Sequence, residues 1–432
     1  MKLPSDIWRE IALASLSDGP LITDAMELAL SPLEIVPYPE DRRSIAVSYA
    51  LVCKSSNHGV RGLLWDYISV RNAAALSSVV YTLSNGCIRE ARKFGPRVKR
   101  LDISISGSYS AAQACWDCHF CCATMTNTWQ QVLGLVEQLP NLQIMFLRNR
   151  GVRKYGLFKT GLATSLCKNC PDIRRLQIAG VTDVPSLDDL HVLGKGLPRL
   201  ATLQLIRVPT TTIPEDERPS ICFPELRTLW FGGSATGTWA YSPAGMDLLS
   251  LTSRTGMELP KIHRLDVRLQ CQGLPEFIRH HGHKITTLTI GTKHRSLEHP
   301  GVILTQCPNL QAIRLCYEGY RITGILSGGH PELRTIIIAG GRNESIGNER
   351  SWPATLRNLD RILSAIKSYS APKLSKIIVE AYGSLYPADN PDWWWNWLIK
   401  FSKQDVRFEI DGPGLWPEED VAHPARPIRR MR

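Results

Sequence analysis

Aliphatic residues along the chain return in one phrase: a proline, any residue, then a ladder of the form L-x-x-L-x-L. The phrase runs through Pro140, Leu142, Met145 and Leu147, then Pro171, Ile173, Leu176 and Ile178, then Pro198, Leu200, Leu203 and Leu205. It continues from Pro224, Pro260, Pro308, Pro331 and Pro372, with an earlier copy at Pro96 and a copy lacking the proline over Ile285, Leu288 and Ile290. The last two aliphatics of each copy stand two apart, which is strand spacing, so they share one face and the residues between them take the other. Proline is tolerated at a strand's first residue, where the ladder of hydrogen bonds has yet to begin. Between copies, over 128–139 and 355–366 for example, aliphatics stand three and four apart and predict helices. One strand plus one helix is the predicted unit.

Successive prolines are 27 residues apart (171 to 198), 26 (198 to 224) and 23 (308 to 331), with longer gaps elsewhere. A strand–helix unit of about 20–29 residues carrying this ladder resembles the leucine-rich repeat. One such unit cannot bury its own apolar face, so the resemblance implies an α/β solenoid, a curved parallel sheet with outer helices. The array is expected over 71–411, preceded by an all-α module over 1–70 and followed by a basic, proline-rich tail over 412–432 that is expected to be disordered. Near its end, Trp394, Trp397, Leu398 and Phe401 share helical spacing and predict a helix closing the core, with Val406, Phe408 and Ile410 as a final strand. Trp393 and Trp395 are expected to stay partly exposed.

Composition bounds the picture. With 432 residues the chain exceeds one compact core, and 43% hydrophobic against 21% charged residues is the balance of a folded protein. It contains no run of about 18 apolar residues, and Met1–Asp6 lacks the apolar stretch of a signal peptide. No membrane partner is expected, and the cytoplasm or nucleus is the expected location. The 12 cysteines are then expected to be reduced, with Cys167, Cys170 and Cys307 packing as small apolar residues beside a repeat proline. A formal charge of +11 speaks to partners rather than fold.

The first seventy residues break the pattern. Ile7, Trp8 and Ile11 share one helical face behind Leu3 and Pro4, a second helix is predicted through Leu51, Val52, Cys53 and Lys54, and Leu64 and Trp65 close the segment. These pieces resemble an F-box, and an F-box-like module ahead of leucine-rich repeats is similar in style to fungal substrate receptors of cullin–RING ubiquitin ligases. The resemblance implies that Leu3, Pro4 and Ile7 lead the docking onto a Skp-type adaptor. It also implies that Ile11, Leu51, Val52 and Cys53 hold the module together and shape its adaptor face, with Leu64 and Trp65 at its end. Ser56 stands where the family often has an aromatic residue, and the stretch over 17–44 is longer than usual between the first two helices. A plain helical cap on the first repeat is the competing account of these residues.

If the ladder aliphatics point inward, the residues flanking them line the concave strand face. Those positions supply Arg100, Phe146, Arg148, Arg175, Trp230, Arg264, Arg268, Arg314 and Lys376, against Asp102, Asp266 and Glu380. Arginine forks suit carboxylates and phosphates, so an acidic or phosphorylated protein segment is the expected substrate, with solubility as the competing purpose of these arginines. Cys115, Cys118, Cys121 and Cys122 carry two overlapping C-x-x-C spacings, but no second ligand pair is evident and no metal is expected. Walker, Gly-x-Ser-x-Gly and H-E-x-x-H motifs are absent, so neither catalysis nor a cofactor is expected. The basic charge lacks the aromatic interleaving and motifs of nucleic-acid modules, which argues against that partner class. The expected function is that of a substrate-recognition subunit of an SCF-type ligase, binding adaptor and cullin through the F-box and a protein substrate through the repeats. The alternative is a repeat scaffold without a ligase.

Overall fold

In the computed structural model, the described residues are 4, 7–8, 11–12, 48–49, 51–60, 63–84, 94–105, 129–149, 161–179, 185–205, 220–231, 246–247, 257–267, 271–272, 274–291, 300–317, 329–340, 352–380 and 391–411. They divide into two compact units, Met1–Ser234 with Ser253–Ile262, and Ala235–Thr252 with His263–Arg432. The first unit carries β1 (Tyr67–Val70), β2 (Arg100–Ile105), β3 (Ile144–Asn149), β4 (Arg175–Ala179), β5 (Thr202–Leu205) and β6 (Thr228–Phe231). These six are parallel and pair in chain order. The second unit carries β7 (Met246–Asp247), β8 (Arg264–Val267), β9 (Cys271–Gln272), β10 (Thr287–Gly291), β11 (Ala312–Tyr317), β12 (Thr335–Gly340), β13 (Lys376–Glu380) and β14 (Arg407–Asp411). Here β8 and β10 to β14 again pair in parallel and in chain order, and β7 pairs with β9. Helices lie between strands, so each unit is an α/β stack of repeated strand–helix steps, as the ladder predicted.

The proline sits elsewhere than expected. Strands begin four residues after it, and the proline opens a turn: Leu142 N–H donates to Leu139 O at 3.1 Å, Leu200 to Leu197 at 3.1 Å and Leu310 to Cys307 at 3.0 Å. Pro140, Pro198 and Pro308 are therefore second in a four-residue turn, where a φ fixed near −65° is already the one required. The first ladder aliphatic closes the turn. One carbonyl then receives two donors from the next repeat: Gln143 N and Ile144 N both donate to Lys99 O, Arg174 N and Arg175 N to Gln143 O, and Ala201 N and Thr202 N to Arg174 O. The same double donation recurs at His263, Thr286, Gln311 and Arg334 in the second unit. It pins register before the strand ladder starts.

Register stacks the aliphatics into rows. Leu101, Met145, Leu176, Leu203 and Leu229 oppose one another in the first unit, and Leu265, Leu288, Ile313, Ile336 and Ile377 in the second, all fully buried. Helix Leu187–Gly196 adds buried Leu187, Leu190 and Leu193, and its start is closed by a capping box in which Ser186 Oγ accepts from Asp189 N at 3.0 Å and Ser186 N donates to Asp189 Oδ2 at 2.9 Å. Gly196 is required by proximity, because a Cβ there would lie 2.3 Å from Cys167 Cβ on the preceding helix, Leu162–Asn169. The expected helices appear over 129–136 and Trp352–Ser368. The strand pattern reaches back to Tyr67, inside the segment assigned to the helical module, because Tyr67–Val70 pairs in register with Arg100–Ile103.

Cys170 and Cys307 are buried and Cys167 half-buried, and all three are free thiols, as are Cys53 and Cys222. Burial pushes the thiols of Cys170 and Cys307 up to about 12 and that of Cys167 to about 11. Cys115, Cys118, Cys121 and Cys122 lie outside the described residues, as does the tail after 411. Among the described residues no helix is long and apolar enough to cross a membrane, and no cluster of metal-ligating side chains occurs.

Candidate interaction surfaces

On the strand face opposite the aliphatic rows, the arginines do not present free forks. Arg100 is 1% exposed and donates from Nε to Asp102 Oδ1 at 3.0 Å and from a terminal nitrogen to Asp102 Oδ2 at 2.9 Å, a bidentate pair within one strand. Its guanidinium lies 5.0 Å from the Tyr67 ring centroid and 4.7 Å from that of Phe146. Half-buried Arg175 approaches the same Phe146 ring, at 5.3 Å. Tyr67 donates to Asp102 Oδ2 at 2.8 Å, and burial together with the Asp102 charge raises its phenol to about 12.

The second unit repeats the device. Arg264 donates to Asp266 Oδ2 at 3.0 Å with both side chains buried, and buried Arg314 pairs with buried Glu380. Arg100, Arg264 and Arg314 were expected as substrate forks; desolvation is offset here by carboxylates of this chain, so their charge is committed internally. Phe146 and Trp230 are likewise buried, at 2% exposure each. Lys376 is half-buried and pairs with Glu409 at 2.7 Å. Arg148 lies in β3 with its side chain outside the described set, and Arg268 lies outside the described residues.

The N-terminal segment presents the opposite balance. Pro4, Ile7, Ile11, Leu51, Val52 and Cys53 are all exposed, with Ile7 at 45%, Leu51 at 79% and Val52 at 59%. Their neighbours turn inward. Ala12 is fully buried with Tyr49 and Leu64 packed against it, and Trp8 lies 6.3 Å from the Tyr49 ring. Trp8 N donates to Pro4 O at 3.3 Å, forming the first turn of the leading helix. Trp65 stacks on Phe94 at 4.9 Å with the rings 5° from parallel.

Ser56 is fully buried and its hydroxyl donates to Tyr49 O, while its N–H donates to Cys53 Sγ at 3.3 Å. A small hydroxyl residue thus occupies this buried position and ties it to the Tyr49 carbonyl. Leu3 lies outside the described residues. Leu64 and Trp65, expected at the end of the module, are both half-buried, Leu64 against Ala12 and Trp65 against Phe94.

At the C-terminal end, helix Pro391–Ser402 buries Trp394, Trp397 and Phe401. Trp393 Nε1 and Trp397 Nε1 both donate to Asp360 Oδ1 of helix Trp352–Ser368, at 3.0 and 2.8 Å. Leu398, placed in the core by spacing, is 36% exposed and lies beside exposed Trp395 and Ile399. His281 packs on Phe277 at 4.8 Å and is buried at the end of its helix. No protein-family model matches the chain, and no curated protein matches it.

Proposed function

We propose that the chain is a substrate receptor of an SCF-type ubiquitin ligase, with an F-box-like module docking on a Skp-type adaptor and leucine-rich-repeat-like stacks holding a protein substrate. One observation carries this reading: Pro4, Ile7, Ile11, Leu51, Val52 and Cys53, which the F-box resemblance assigns to the adaptor face, are exposed, while Ala12 is buried with Tyr49 and Leu64 packed against it. A cap that merely shielded the first repeat would bury Ile7, Leu51 and Val52 and expose their polar neighbours. Exposed large apolar side chains such as Ile7, Ile11, Leu51 and Val52 are what an interaction site presents to its partner. In this role the chain performs no chemistry; it raises the effective concentration of a substrate lysine near a ubiquitin-charged enzyme.

The test is co-expression with a Skp-type adaptor and cullin, capturing the wild type beside a Leu3→Ala, Pro4→Ala, Ile7→Ala triple variant. Capture of the wild type alone is the expected result. Equal capture of both would move the docking surface elsewhere, and capture of neither would leave a repeat scaffold without a ligase.

A further inference from the structure

The last described strand–helix step leaves two surfaces uncovered on one side. Helix Pro391–Ser402 is held on one flank by helix Trp352–Ser368, through the Trp393 and Trp397 donations to Asp360 Oδ1. It is held underneath by β14, where the Phe408 ring lies 6.0 Å from that of Trp394 and 5.5 Å from that of Phe401. With about 3.6 residues per turn, the flank turned away from the preceding helix carries Trp395, Leu398 and Ile399. These are exposed at 41%, 36% and 38%. Terminal repeats of a stack ordinarily turn a polar face outward, so three large apolar side chains there point to a covering partner.

The strand is open on the same side. Arg407 N–H donates to Ser375 O at 2.8 Å, and Arg407 is in register with Lys376. By alternation the backbone groups of Arg407 and Glu409 serve β13, while the N–H and C=O of Phe408 and Ile410 face the other way. Among the described residues no strand pairs with that edge.

The sequence along this edge, Val406, Arg407, Phe408, Glu409 and Ile410, is complementary to its own reverse. Turned against itself about Phe408, it sets Phe408 opposite Phe408, Val406 opposite Ile410 twice, and Arg407 opposite Glu409 twice. The Phe408 pair then exchanges the two N–H···O bonds that the open edge offers. Arg407 pairs with Glu409 within the strand at 2.5 Å and Lys376 with Glu409 at 2.7 Å, and neither pair has to break for the charges to alternate across the axis. Centring on Glu409 instead would set two carboxylates face to face.

We infer that this face receives a second copy of the chain, the two β14 strands pairing antiparallel and the Trp395, Leu398 and Ile399 flank packing on its counterpart. A two-fold axis perpendicular to the sheet does both at once, because it keeps the two helices in one layer. The inference goes beyond the receptor reading and needs neither adaptor nor substrate.

The test is sedimentation equilibrium of the purified full chain without adaptor, over about a hundredfold range of concentration through the low micromolar. Wild type should pass from the mass of one chain to that of two. A Trp395→Glu, Ile399→Glu variant, changed only at exposed positions, should weaken the dimer at least about tenfold. Arg407→Glu and Glu409→Arg each set like charges opposite one another, and each alone should weaken the dimer about tenfold. Their equimolar mixture should restore it, since every cross-strand charge pair is then opposite in sign. Circular dichroism melts verify the fold of each variant.

The mass of a single chain at every concentration would overturn the proposal and leave this face to a strand of another protein. A dimer untouched by Trp395→Glu, Ile399→Glu would overturn it by placing the contact elsewhere. Failure of the mixture to restore association would overturn the strand pairing.

Discussion

Asp360 holds the C-terminal helix in place through one oxygen, and its replacement isolates that contribution. Trp397 is 3% exposed and Trp393 half-buried, and both indole N–H groups donate to Asp360 Oδ1, at 2.8 and 3.0 Å. Hydrogen bonds to a charged acceptor contribute roughly 1.5–3 kcal/mol each, and the partial exposure of Trp393 and Asp360 places this pair near the low end. Asp360→Leu should therefore cost about 3 kcal/mol, much of it from leaving the Trp397 donor buried without an acceptor. Asp360→Asn keeps an accepting oxygen and loses only the charge, so it should cost about 1 kcal/mol. Urea unfolding followed by tryptophan fluorescence, with hydrogen exchange over 391–411, separates the two. An Asp360→Leu midpoint equal to wild type would refute the anchoring role, and equal damage from both variants would show that charge rather than the accepting oxygen matters.

Further outcomes follow from packing and charge. Leu203→Ala, fully buried and in register between Leu176 and Leu229, should cost about 3 kcal/mol in the same unfolding assay. Gly282→Ala should cost about 2 kcal/mol, because its Cβ would lie 2.3 Å from the Gln306 carbonyl oxygen, and the melting temperature reads this directly. Arg314→Met or Glu380→Leu alone should cost about 3–5 kcal/mol by stranding a buried charge, while the double variant should recover most of it, a contrast that a double-mutant cycle measures. Cys170 and Cys307 have folded thiol values near 12 against an ordinary 9.0, so the protonated form is favoured by folding. Their contribution is complete below about pH 9 and is lost as pH rises towards 12; the urea midpoint should be flat with respect to them up to pH 9 and fall above it.

Much of the fold was written in periodicity. Two-residue spacing at Leu176 and Ile178 or at Leu288 and Ile290 gave strands and rows, and three–four spacing gave the helices over 129–136 and Trp352–Ser368. The proline's place was misread by four residues because alternation marks a strand's middle and says little about the turn before it. Tyr67–Val70 escaped as a strand because it lacks the proline phrase and sits beside helical spacing.

The candidate surfaces were legible in part. Parity along the strand put Arg100 and Arg264 opposite the aliphatics, and the Arg-x-Asp spacing to Asp102 and Asp266 was a readable sign of pairing within a strand. Arg314 and Glu380 are 66 positions apart, and nothing local foretells their meeting. Leu398 shares helical spacing with Trp394 and Phe401, yet its exposure depends on how the helix is rotated, which its tie to Asp360 fixes.

The measurement that bears most directly on the receptor reading is hydrogen exchange of the full chain with and without a purified Skp-type adaptor. Protection confined to residues 3–12 and 48–60, leaving the strand starts at 171–175 and 224–228 unchanged, is the predicted result. No protection at those N-terminal residues, or protection only within the strand stacks, would contradict it.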